Sequence, residues 1–506
     1  MSSGAVYLVG GGPGDPGLLT LKGKRLLEEA DVVVYDYLID EQLLVHAHHA
    51  ELIPARDLHG NRAEQQRINE LLIEHAHKGK KVVRLKGGDP YLFGRGGEEG
   101  EALQAAGIRF QVVPGVTSAL AAPAYAGIPV THREHSSSVT ILTGSMQRQK
   151  DQQAIDWPAL ARGADTLVLL MAMTNLEEVV ERLIENGLSG DTPAAAIRWG
   201  SRPDQQVATA SLRDLPRQVR EQGLRAPAVV VVGEVVALRE QLDWFEQLPL
   251  FGVGVLVTRA REQSAEFSDR LRETGARVYQ APVINIRSPE DWTGVDAAID
   301  QLAVYDWLVF TSANGVRLFC DRVWAKGGDA RAFGHARLCA IGPETARSLH
   351  AFGLRADLVP TEYVAEAVAA ALQPYAPKKV LIPRARIARD VLPVKLRQAG
   401  NEVDVVEVYR TEIPESAGTR LRTLLDNGEI DVVTFTSSST VTNFVQLAGH
   451  PPAGVKVACI GPITAQTAEA HGLTVDITAQ EYTTAGLGDA LCAHFSALPA
   501  SARAGV

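Results

Sequence analysis

A glycine-rich loop near the start of the chain could hold a charged ligand. The stretch LVGGGPGDPGLLT, residues 8–20, follows a short apolar run. Its residues Gly12, Gly14 and Gly17 satisfy G-x-G-x-x-G, the spacing that cradles a pyrophosphate in dinucleotide-binding proteins. An acid, Asp36, ends the next apolar run. The spacing by itself therefore allows a nicotinamide dinucleotide.

Three residues of the same loop argue against a diphosphate ligand. Pro13 and Pro16 have no backbone N–H to donate, and Asp15 would place a carboxylate beside the anion. S-adenosylmethionine, with a sulfonium and an ammonium group, meets no such penalty. The alternative that the glycines only turn the chain also stays open.

Three later stretches repeat this pattern of glycines and small polar residues after an apolar run. They are RLKGGDPYLFGRGGEE at 84–99, VVPGVTSALAA at 112–122 and AGIPVTHR at 126–133. Loops at the ends of strands are where open α/β sheets bind ligands. Several such loops in succession indicate a ligand site much more strongly than one loop does.

Short apolar runs alternate with helical stretches and must position these loops. The alternation predicts parallel sheets with helical crossovers, first in a lobe of about 1–115 and again in a second lobe of about 116–245. Around DWFEQLPLFG the pattern is interrupted by proline and glycine. We therefore predict a domain boundary at 245–252, giving domains 1–245 and 252–506.

The second half of the chain contains an internal repeat. VLVTRAR at 255–261 recurs as VLIPRAR at 380–386, an offset of 125, and AIGPETARSLHAFG at 340–353 matches CIGPITAQTAEAHG at 459–472, an offset of 119. Two copies of one α/β unit are predicted. Similar lobes that face each other usually leave a ligand cleft between them.

Composition limits the class of protein. The chain has 506 residues with a formal net charge of −10, so nothing in the overall charge favours a nucleic-acid partner. No apolar run approaches the roughly 20 residues that span a bilayer, so no membrane partner is expected. The four cysteines lack C-x-x-C spacing, and His46, His48 and His49 lack acidic or cysteine partners, so no metal is predicted. We expect a cytoplasmic protein.

The motifs GGGPGDPGLLT, DVVVYD, RLKGGDPYLFGRGGEE, VPGVTSA and GIPVTHR together resemble the tetrapyrrole methylase family, and within it the uroporphyrinogen-III C-methyltransferases. The resemblance covers about 240 residues. It implies a two-lobed homodimeric enzyme that binds S-adenosylmethionine between its lobes. It also implies these cofactor contacts: Pro13, Gly87, Gly88, Asp89, Leu92, Thr117, Ser118, Met171 and Gly200.

Asp36 is implied as the catalytic proton acceptor by the same resemblance. A carboxylate there can remove the proton that the substrate ring loses when it is methylated. The alternative is that Asp36 caps the segment that follows it. Many relatives have a lysine as proton donor where this chain has Arg56, and arginine is a poor acid at neutral pH. Arg56 is therefore expected to pair with substrate carboxylates instead.

The implied substrate is an octacarboxylate, which needs positive groups despite the acidic chain. Candidates in and near the loops are Arg84, Lys86, Arg95 and Arg133. Each has the alternative interpretation of a solvated surface charge.

The repeated half resembles the uroporphyrinogen-III synthase family over about 253–495, through its TSANGV and TSSSTV turns, its paired IGP-x-T-A motifs and its VYRT stretch. The resemblance implies a lobe of 253–287 plus 410–495 with a second lobe, 288–409, inserted into it. Tyr409, Thr345 and Thr464 could then assist water loss during ring closure. The supporting turn residues are Ser312, Asn314, Ser437 and Ser438, and arginine groups at Arg259/Arg261 and Arg384/Arg386/Arg389 could clamp carboxylates. Helix capping for the threonines and strand-edge packing for the tyrosine are the alternatives.

Together the two resemblances predict a bifunctional enzyme of tetrapyrrole biosynthesis. It would cyclise hydroxymethylbilane to uroporphyrinogen III with inversion of the last pyrrole, and methylate that product twice to give precorrin-2. Two rivals stay open: an NAD-dependent dehydrogenase fused to a non-catalytic bilobed binding module, and a sister methylase of a later corrin precursor. The end product, siroheme or cobalamin, also stays open.

Overall fold

The computed structural model describes residues 4–55, 62–144, 155–260, 264–414 and 417–498. The chain folds as two units, Met1–Gly252 and Val253–Val506. Within the described residues each unit contains two five-stranded sheets flanked by helices. None of the helices in those residues is long and apolar enough to cross a membrane.

The first sheet is wholly parallel and runs in the order β3-β2-β4-β1-β5. Its strands are β1 (Ala5–Gly10), β2 (Val32–Tyr35), β3 (Glu51–Pro54), β4 (Lys81–Lys86) and β5 (Arg109–Val113). Its helices are α1 (Leu21–Glu28), α2 (Arg62–His77) and α3 (Gly96–Ala105). Valine-rich strands are typical of a parallel sheet that is covered on both faces. Because these strands pair in parallel, the carboxyl ends of β1, β2 and β4 lie at the same end of the sheet.

The second sheet is mixed, which corrects the expectation of a parallel one. Its strands are β6 (Val139–Thr143), β7 (Thr166–Leu170), β8 (Pro193–Arg198), β9 (Gln206–Ser211) and β10 (Ala228–Val232), in the order β6-β7-β10-β8-β9. Only β6 and β7 pair in parallel. A short connection joins β8 to β9, and so short a link permits only an antiparallel pair. The helices here are α4 (Ser118–Tyr125), α5 (Trp157–Gly163), α6 (Leu176–Glu185), α7 (Leu215–Glu221) and α8 (Arg239–Leu242).

Residues 243–251, the linker segment, pack against the first unit. Trp244 Nε1 donates to the carbonyl of Ala124 at 3.0 Å, and Phe245 is buried. Glu246 accepts hydrogen bonds from Arg239 at 2.6 Å and from Gln205 at 2.9 Å. The linker segment therefore packs on the first unit through both hydrogen bonds and buried side chains.

The second unit consists of strands that alternate with helices. Its strands are β11 (Gly254–Val257), β12 (Arg277–Gln280), β13 (Asn285–Arg287), β14 (Trp307–Phe310), β15 (Arg337–Ala340), β16 (Lys379–Ala385), β17 (Glu402–Glu412), β18 (Val432–Phe435), β19 (Lys456–Cys459) and β20 (Ile477–Thr478). Its helices are α9 (Ala265–Glu273), α10 (Thr293–Asp300), α11 (Ala313–Ala325), α12 (Pro343–Ala351), α13 (Ala365–Leu372), α14 (Val391–Gln398), α15 (Ala417–Asp426), α16 (Ser438–Ala448), α17 (Pro462–Ala470) and α18 (Thr484–Ser496).

The two sheets of this unit exchange parts of the repeat. One has the order β12-β11-β18-β19-β20 and the other β13-β17-β16-β14-β15. Under the repeat offsets, β11 corresponds to β16, β12 to β17, β14 to β18 and β15 to β19. Each sheet thus combines front strands of one copy with back strands of the other, and the internal repeat is confirmed.

Strands β13 and β17 form an antiparallel ladder where the chain passes from one lobe to the other. Ile286 pairs with Thr411 in this ladder. The sheet of the inserted lobe therefore begins before residue 288 and continues past 410, the limits given by the family resemblance. The ladder adds a few residues at each limit because the crossing segments themselves pair.

Candidate active sites

A cleft of about 220 Å³ lies between the two lobes of the first unit. The lining combines residues that follow β1 and β4 with residues of the second lobe, among them the start of α4. All nine residues implied as cofactor contacts lie in its lining: Pro13, Gly87, Gly88, Asp89, Leu92, Thr117, Ser118, Met171 and Gly200. The structure thus brings together positions that are far apart in sequence.

The loop backbones touch in this cleft, which explains the glycines. Gly12 and Gly88 exchange hydrogen bonds, with N···O distances of 2.8 and 3.3 Å, and both have positive φ. A Cβ on Gly115 would lie 2.2 Å from the oxygen of Gly88 and 2.7 Å from the Cα of Gly10. Three loops can approach this closely only without side chains.

The described residues that line the cleft include one acid, Asp89, and no lysine, arginine or histidine. Thr117 caps α4 and lines the cleft beside Ser118. A diphosphate would find no cationic partner among these side chains, whereas a sulfonium or ammonium group would lie near glycine backbones and one carboxylate. The lining thus suits a cationic ligand with apolar parts.

Asp15 does not have the place that the sequence argument assigned to it. Its carboxylate accepts hydrogen bonds from Gly17 N at 2.7 Å and from Tyr125 Oη at 2.6 Å. Burial and this carboxylate raise the pKa of Tyr125 above its ordinary value. Asp15 is therefore turned toward the second lobe, where it fixes the loop, and it is absent from the cleft lining. The case against a diphosphate rests on the lining itself.

Five described residues other than glycine have positive φ, and all lie in or beside the loops of this cleft: Phe93, Arg95, Met171, Trp199 and Ser201. Such conformations are costly for residues with side chains and concentrate at functional sites. Phe93, Met171 and Trp199 line the cleft directly. Met171 is 52% exposed, although core packing was the alternative for it on sequence alone.

Sequence reasoning missed several lining residues. Leu38, Trp199 and Pro227 belong to the cleft but to none of the motifs used above, and Phe93 lies within RLKGGDPYLFGRGGEE but was not among the implied contacts. Trp199 directly precedes Gly200 and Phe93 directly follows Leu92, so each is adjacent in sequence to an implied cofactor contact and could have been found from it. Pro227 and Leu38 could not have been found in this way, because only the folding of the lobes brings them to the cleft.

Asp36 follows β2 and contacts a buried charge network. Arg84 Nη2 donates to Asp36 Oδ1 at 2.5 Å, and Lys86 Nζ lies 4.0 Å from Asp36 Oδ2. Behind them, Arg84 Nε and Lys86 Nζ both donate to Glu99 Oε1, at 3.1 and 2.9 Å. The Asp36 side chain is 20% exposed, so it is the solvent-facing member of the network.

Burial and the attraction of Asp36 and Glu99 act in opposite directions on Arg84, and the carboxylates prevail, so its pKa is raised. Burial, with the repulsion of Arg84, lowers the pKa of Lys86. Both cations are at most 3% exposed. The expectation that they clamp substrate carboxylates is therefore not supported, because their charges are directed to Asp36 and Glu99.

The other candidate cations of this half lie elsewhere. Arg95 is exposed and pairs with Glu98 at 2.6 Å, and Arg133 is exposed after α4. Arg56 lies outside the described residues. Among the described residues, no group of three His, Cys, Asp or Glu side chains could hold a metal ion.

In the second unit the two serine turns occupy equivalent places. Ser312 follows β14 and caps α11 by accepting from Gly315 N at 3.0 Å. Ser437 follows β18 and caps α16 through a reciprocal pair with Thr440. Ser438 Oγ lies 2.7 Å from Thr467 Oγ1, and Asn314 is half-buried in the first turn of α11. Each turn therefore places a helix N-terminus at the carboxyl end of a strand.

Tyr409 is joined to the first of these turns. Its hydroxyl lies 3.0 Å from Ser312 Oγ, and the residue is 8% exposed. Burial raises the pKa of Tyr409, and the hydrogen bond to Ser312 opposes this shift. Two residues proposed for the same chemistry thus meet, although 97 positions separate them.

Thr345 and Thr464 are not placed like Tyr409. They are 4% and 5% exposed, inside the first turns of α12 and α17. Gly342 and Gly461 occupy the cap positions, so the threonines do not cap these helices either. Both side chains pack into the lobes, and this placement does not support contact with a substrate.

One arginine of each predicted clamp is paired. Arg259, after β11, donates to Glu344 at 2.6 Å and so joins the two lobes of the second unit. Arg384 donates to Asp390 at 2.6 Å within its own lobe. Arg261 lies outside the described residues.

Comparisons with known proteins agree with both resemblances. Residues 5–216 match the family model of the Tetrapyrrole (Corrin/Porphyrin) Methylases, and residues 265–489 match that of Uroporphyrinogen-III synthase HemD. The Porphyrin biosynthesis protein HemD of Ruminiclostridium josui is 37% identical over 484 residues, 94% of this chain and 95% of that protein.

Two further relatives match the first half alone. The S-adenosyl-L-methionine-dependent uroporphyrinogen III methyltransferase of Methanosarcina barkeri is 48% identical over 241 residues, 47% of this chain and 94% of that protein. The crystal structure of uroporphyrin-III-C-methyltransferase from Thermus thermophilus is 42% identical, with 47% of this chain and 96% of that chain covered and a TM-score of 0.40.

The match to the Ruminiclostridium protein extends across both units, and each unit also matches its own family model. The chain therefore belongs to the proteins in which a tetrapyrrole methylase, here the first unit, is fused to a uroporphyrinogen-III synthase, here the second.

Proposed function

We propose that this chain is a bifunctional enzyme that makes uroporphyrinogen III from hydroxymethylbilane in its second unit and methylates it twice in its first. The product of the two activities would be precorrin-2. The observation that carries the proposal is the relative of matching length, a porphyrin biosynthesis protein whose similarity extends across both units of this chain. The synthase product is the methylase substrate, so each assignment supports the other.

The residues of the cleft fit S-adenosylmethionine as the methyl donor. Backbone groups of Gly87 and Gly88, the hydroxyls of Thr117 and Ser118 and the carboxylate of Asp89 would hold its polar parts, and Met171 and Leu92 its apolar parts. When bound, S-adenosylmethionine supplies the methyl group. The absence of cationic side chains from the described lining supports this choice over a nicotinamide dinucleotide.

Asp36 is proposed as the proton acceptor of the methylation. Asp36 Oδ1 accepts a hydrogen bond from Arg84, which orients the carboxylate. Asp36 Oδ2 would then accept the proton that the macrocycle loses when one of the macrocycle's carbons is methylated. Arg95 and Arg133 are retained as candidates for the substrate carboxylates because both are exposed. Arg56 is retained on the family resemblance alone.

In the second unit the proposed chemistry is conformational control. Hydroxymethylbilane is reactive enough to close unaided to the wrong isomer, so the protein mainly has to fix the conformation that inverts the last pyrrole. Tyr409 and Ser312 are proposed to assist the loss of water, since their hydroxyls are held together at a sheet edge. Ser437 and Ser438 are proposed to orient carboxylates from the equivalent turn.

Three further parts of the interpretation are proposed. The chain would form a homodimer through its methylase unit, it would act in the cytoplasm, and its product would serve siroheme formation. The homodimer follows from the family resemblance, and the cytoplasmic location from the composition of the chain. The last is supported by the siroheme synthase of Sodalis glossinidius, which is 51% identical over 246 residues, although these cover only 51% of that protein.

One assay tests both activities and the base. The purified chain is supplied with hydroxymethylbilane and S-adenosylmethionine, and precorrin-2 is measured by its absorbance and mass. With Asp36→Asn we expect methylation to fall by at least about a hundredfold, because a general base is lost, while uroporphyrinogen III still forms. Asp36→Asn with full methylation would disprove the base assignment, and a wild-type chain that forms neither product would disprove the function.

A further inference from the structure

Four charged side chains, two of each sign, meet where β2, β4 and α3 pack together, and none of them is in the lining of the methylase cleft. Arg84 and Lys86 lie on the same face of β4, because side chains two apart on a strand point the same way. Asp36 lies at the end of β2 and Glu99 on α3. Arg84 contacts both carboxylates, Nη2 at Asp36 and Nε at Glu99, and Lys86 lies between the same two groups.

Glu99 is unusual even for a buried carboxylate. It is fully buried, and its Oε1 accepts from Arg84, from Lys86 and, at 3.2 Å, from Gln65 Nε2. Its Oε2 is buried and has no hydrogen-bond partner among the residues that the structure describes. Such an arrangement is expensive, and apolar residues of similar volume usually stabilise a fold equally well or better. A role in holding the fold therefore does not account for it.

The effect of Glu99 on Asp36 follows from the signs of the charges. Cations beside a carboxylate favour its charged form and so weaken it as a proton acceptor. Without Glu99, Asp36 would face two buried cations and no second buried carboxylate. Glu99 offsets one of those cations. Lys86 acts in the opposite sense, since its ammonium is 4.0 Å from Asp36 Oδ2.

We propose that Glu99 and Lys86 are positioning residues that set the proton affinity of Asp36 through opposed charges, although neither reaches the substrate. The proposal rests on the proposed role of Asp36 as the base. It assigns to Glu99 a part in the reaction that its place on a covered helix face does not reveal by itself.

Two further polar groups of the described residues lie on elements next to this network and are the same in every variant below. Helix α2 contributes the neutral amide of Gln65. The nearby carboxylate of Asp89 is engaged by Tyr91 N at 2.8 Å and Gly115 N at 3.0 Å. Arg56, which lies outside the described residues, is the same in every variant below and cancels from the comparison.

The test compares the pH dependence of kcat/KM for methylation in four full-length variants. The acid limb of this profile is the range in which kcat/KM rises with pH. Glu99→Gln removes a negative charge, so the acid limb should move to lower pH by about one unit. Lys86→Met removes a positive charge, so the acid limb should move to higher pH by about one unit. The double variant Lys86→Met/Glu99→Gln removes one charge of each sign and should return the limb to its original place. Glu101→Gln, an exposed carboxylate on the same helix, should leave it unchanged.

Binding of S-adenosylhomocysteine, measured by calorimetry, shows that each methylase unit is folded. Limbs that stay in place, or that move in the same direction in both single variants while binding is intact, would overturn the proposal. Where a single variant no longer binds, the double variant decides: recovered binding with the original limb supports opposed charges, and recovered binding with a displaced limb refutes them. Retained methylation in Asp36→Asn would instead show that the base itself was wrongly chosen.

Discussion

Asp36 and Tyr409 hold comparable positions in their units. Each lies near the end of a strand, and each contacts a polar side chain of another element: Arg84 in one case and Ser312 in the other. In both cases the contact fixes the orientation of a group proposed to move a proton. A side chain that is held in place before the substrate arrives loses less conformational entropy when it acts.

The role of the Tyr409 hydroxyl can be tested by Tyr409→Phe. We expect formation of the inverted ring to slow by about tenfold, the effect of one lost hydrogen bond, and the share of the uninverted isomer to rise. The measurement is separation of the two uroporphyrin isomers after oxidation. Binding of S-adenosylhomocysteine by the other unit should not change.

The matched control is Tyr375→Phe, which alters a half-exposed tyrosine that packs on Trp307 in the same lobe. It should leave the isomer ratio as it is. An unchanged ratio in Tyr409→Phe as well would remove Tyr409 from the proposed site.

Single residues show where prediction from sequence succeeds and where it fails. The nine cofactor positions that the family resemblance implies come together in one cleft lining. The structure does not support Arg84 and Lys86 as carboxylate clamps, because α3 covers that face of β4 and supplies Glu99, which nothing in RLKGG indicates. Asp15 was placed wrongly because its partner, Tyr125, is 110 positions away.

At the scale of elements, the close approach of three strand ends shapes the methylase cleft. The loops after β1, β4 and β5 are in backbone contact at Gly10, Gly88 and Gly115. This contact fixes Asp89, whose carboxylate accepts from Gly115 N. A change that forces these loops apart should therefore also weaken cofactor binding.

Gly115→Ala tests this coupling. The added methyl group would overlap backbone atoms that cannot move aside, so we expect the affinity for S-adenosylhomocysteine to fall by about tenfold or more. The measurement is isothermal titration calorimetry on the full chain. Gly97→Ala is the control, because a Cβ there meets nothing within 4 Å and α3 should tolerate or prefer alanine. Equal affinities in the two variants would contradict the coupling.

The order of elements was only partly predictable. Alternation of apolar runs and helical stretches indicated α/β lobes, and the repeat offsets indicated two copies. The antiparallel pairs of the second sheet were missed because a buried strand has the same composition in either direction. The positions of Thr345 and Thr464 were missed because a hydroxyl after G-P predicts a helix start but not the face on which it lies.

At the scale of the whole molecule, the linker segment belongs to the methylase unit and touches the support of its cofactor loop. Trp244 and Phe245 pack on the ring of Tyr125, with centroids 5.1 and 4.9 Å apart, and Tyr125 in turn holds Asp15. The boundary between independently stable pieces should therefore lie after this segment and not before it.

Two truncated chains test the boundary. A chain that ends at Gly252 should bind S-adenosylhomocysteine as the full chain does. A chain that ends at Leu242 should bind it more weakly and unfold at a temperature lower by about 5 °C or more, because it loses the packing on Tyr125. Calorimetry and thermal unfolding measure both quantities. If the two truncated chains behave alike, the linker segment does not support the loop.

Alkaline pH should weaken the synthase unit selectively. Burial raises the pKa of Cys320, Cys339 and Cys459 to about 12. In the unfolded chain the same thiols lose their protons near their ordinary pKa of about 8.5, so the unfolded state gains stability as the pH rises above that value. The urea midpoint of this unit should fall between about pH 8 and about pH 10.5.

The variant Cys320→Val/Cys339→Val/Cys459→Val supplies the comparison. Its urea midpoint should depend less on pH over the same range, as measured by circular dichroism. An identical decline in the variant would assign the effect to other groups.

The exchange of strands between the two copies has a consequence for synthesis on the ribosome. Strands β11 and β12 emerge long before β18 and β19, which complete their sheet, whereas β13–β17 are contiguous in the chain. The inserted lobe can form while translation continues, but the first two strands must wait with one edge unpaired until the last quarter of the chain is made. A chain that ends before β18 would therefore keep an unpaired strand edge in its second unit, and such an edge favours aggregation.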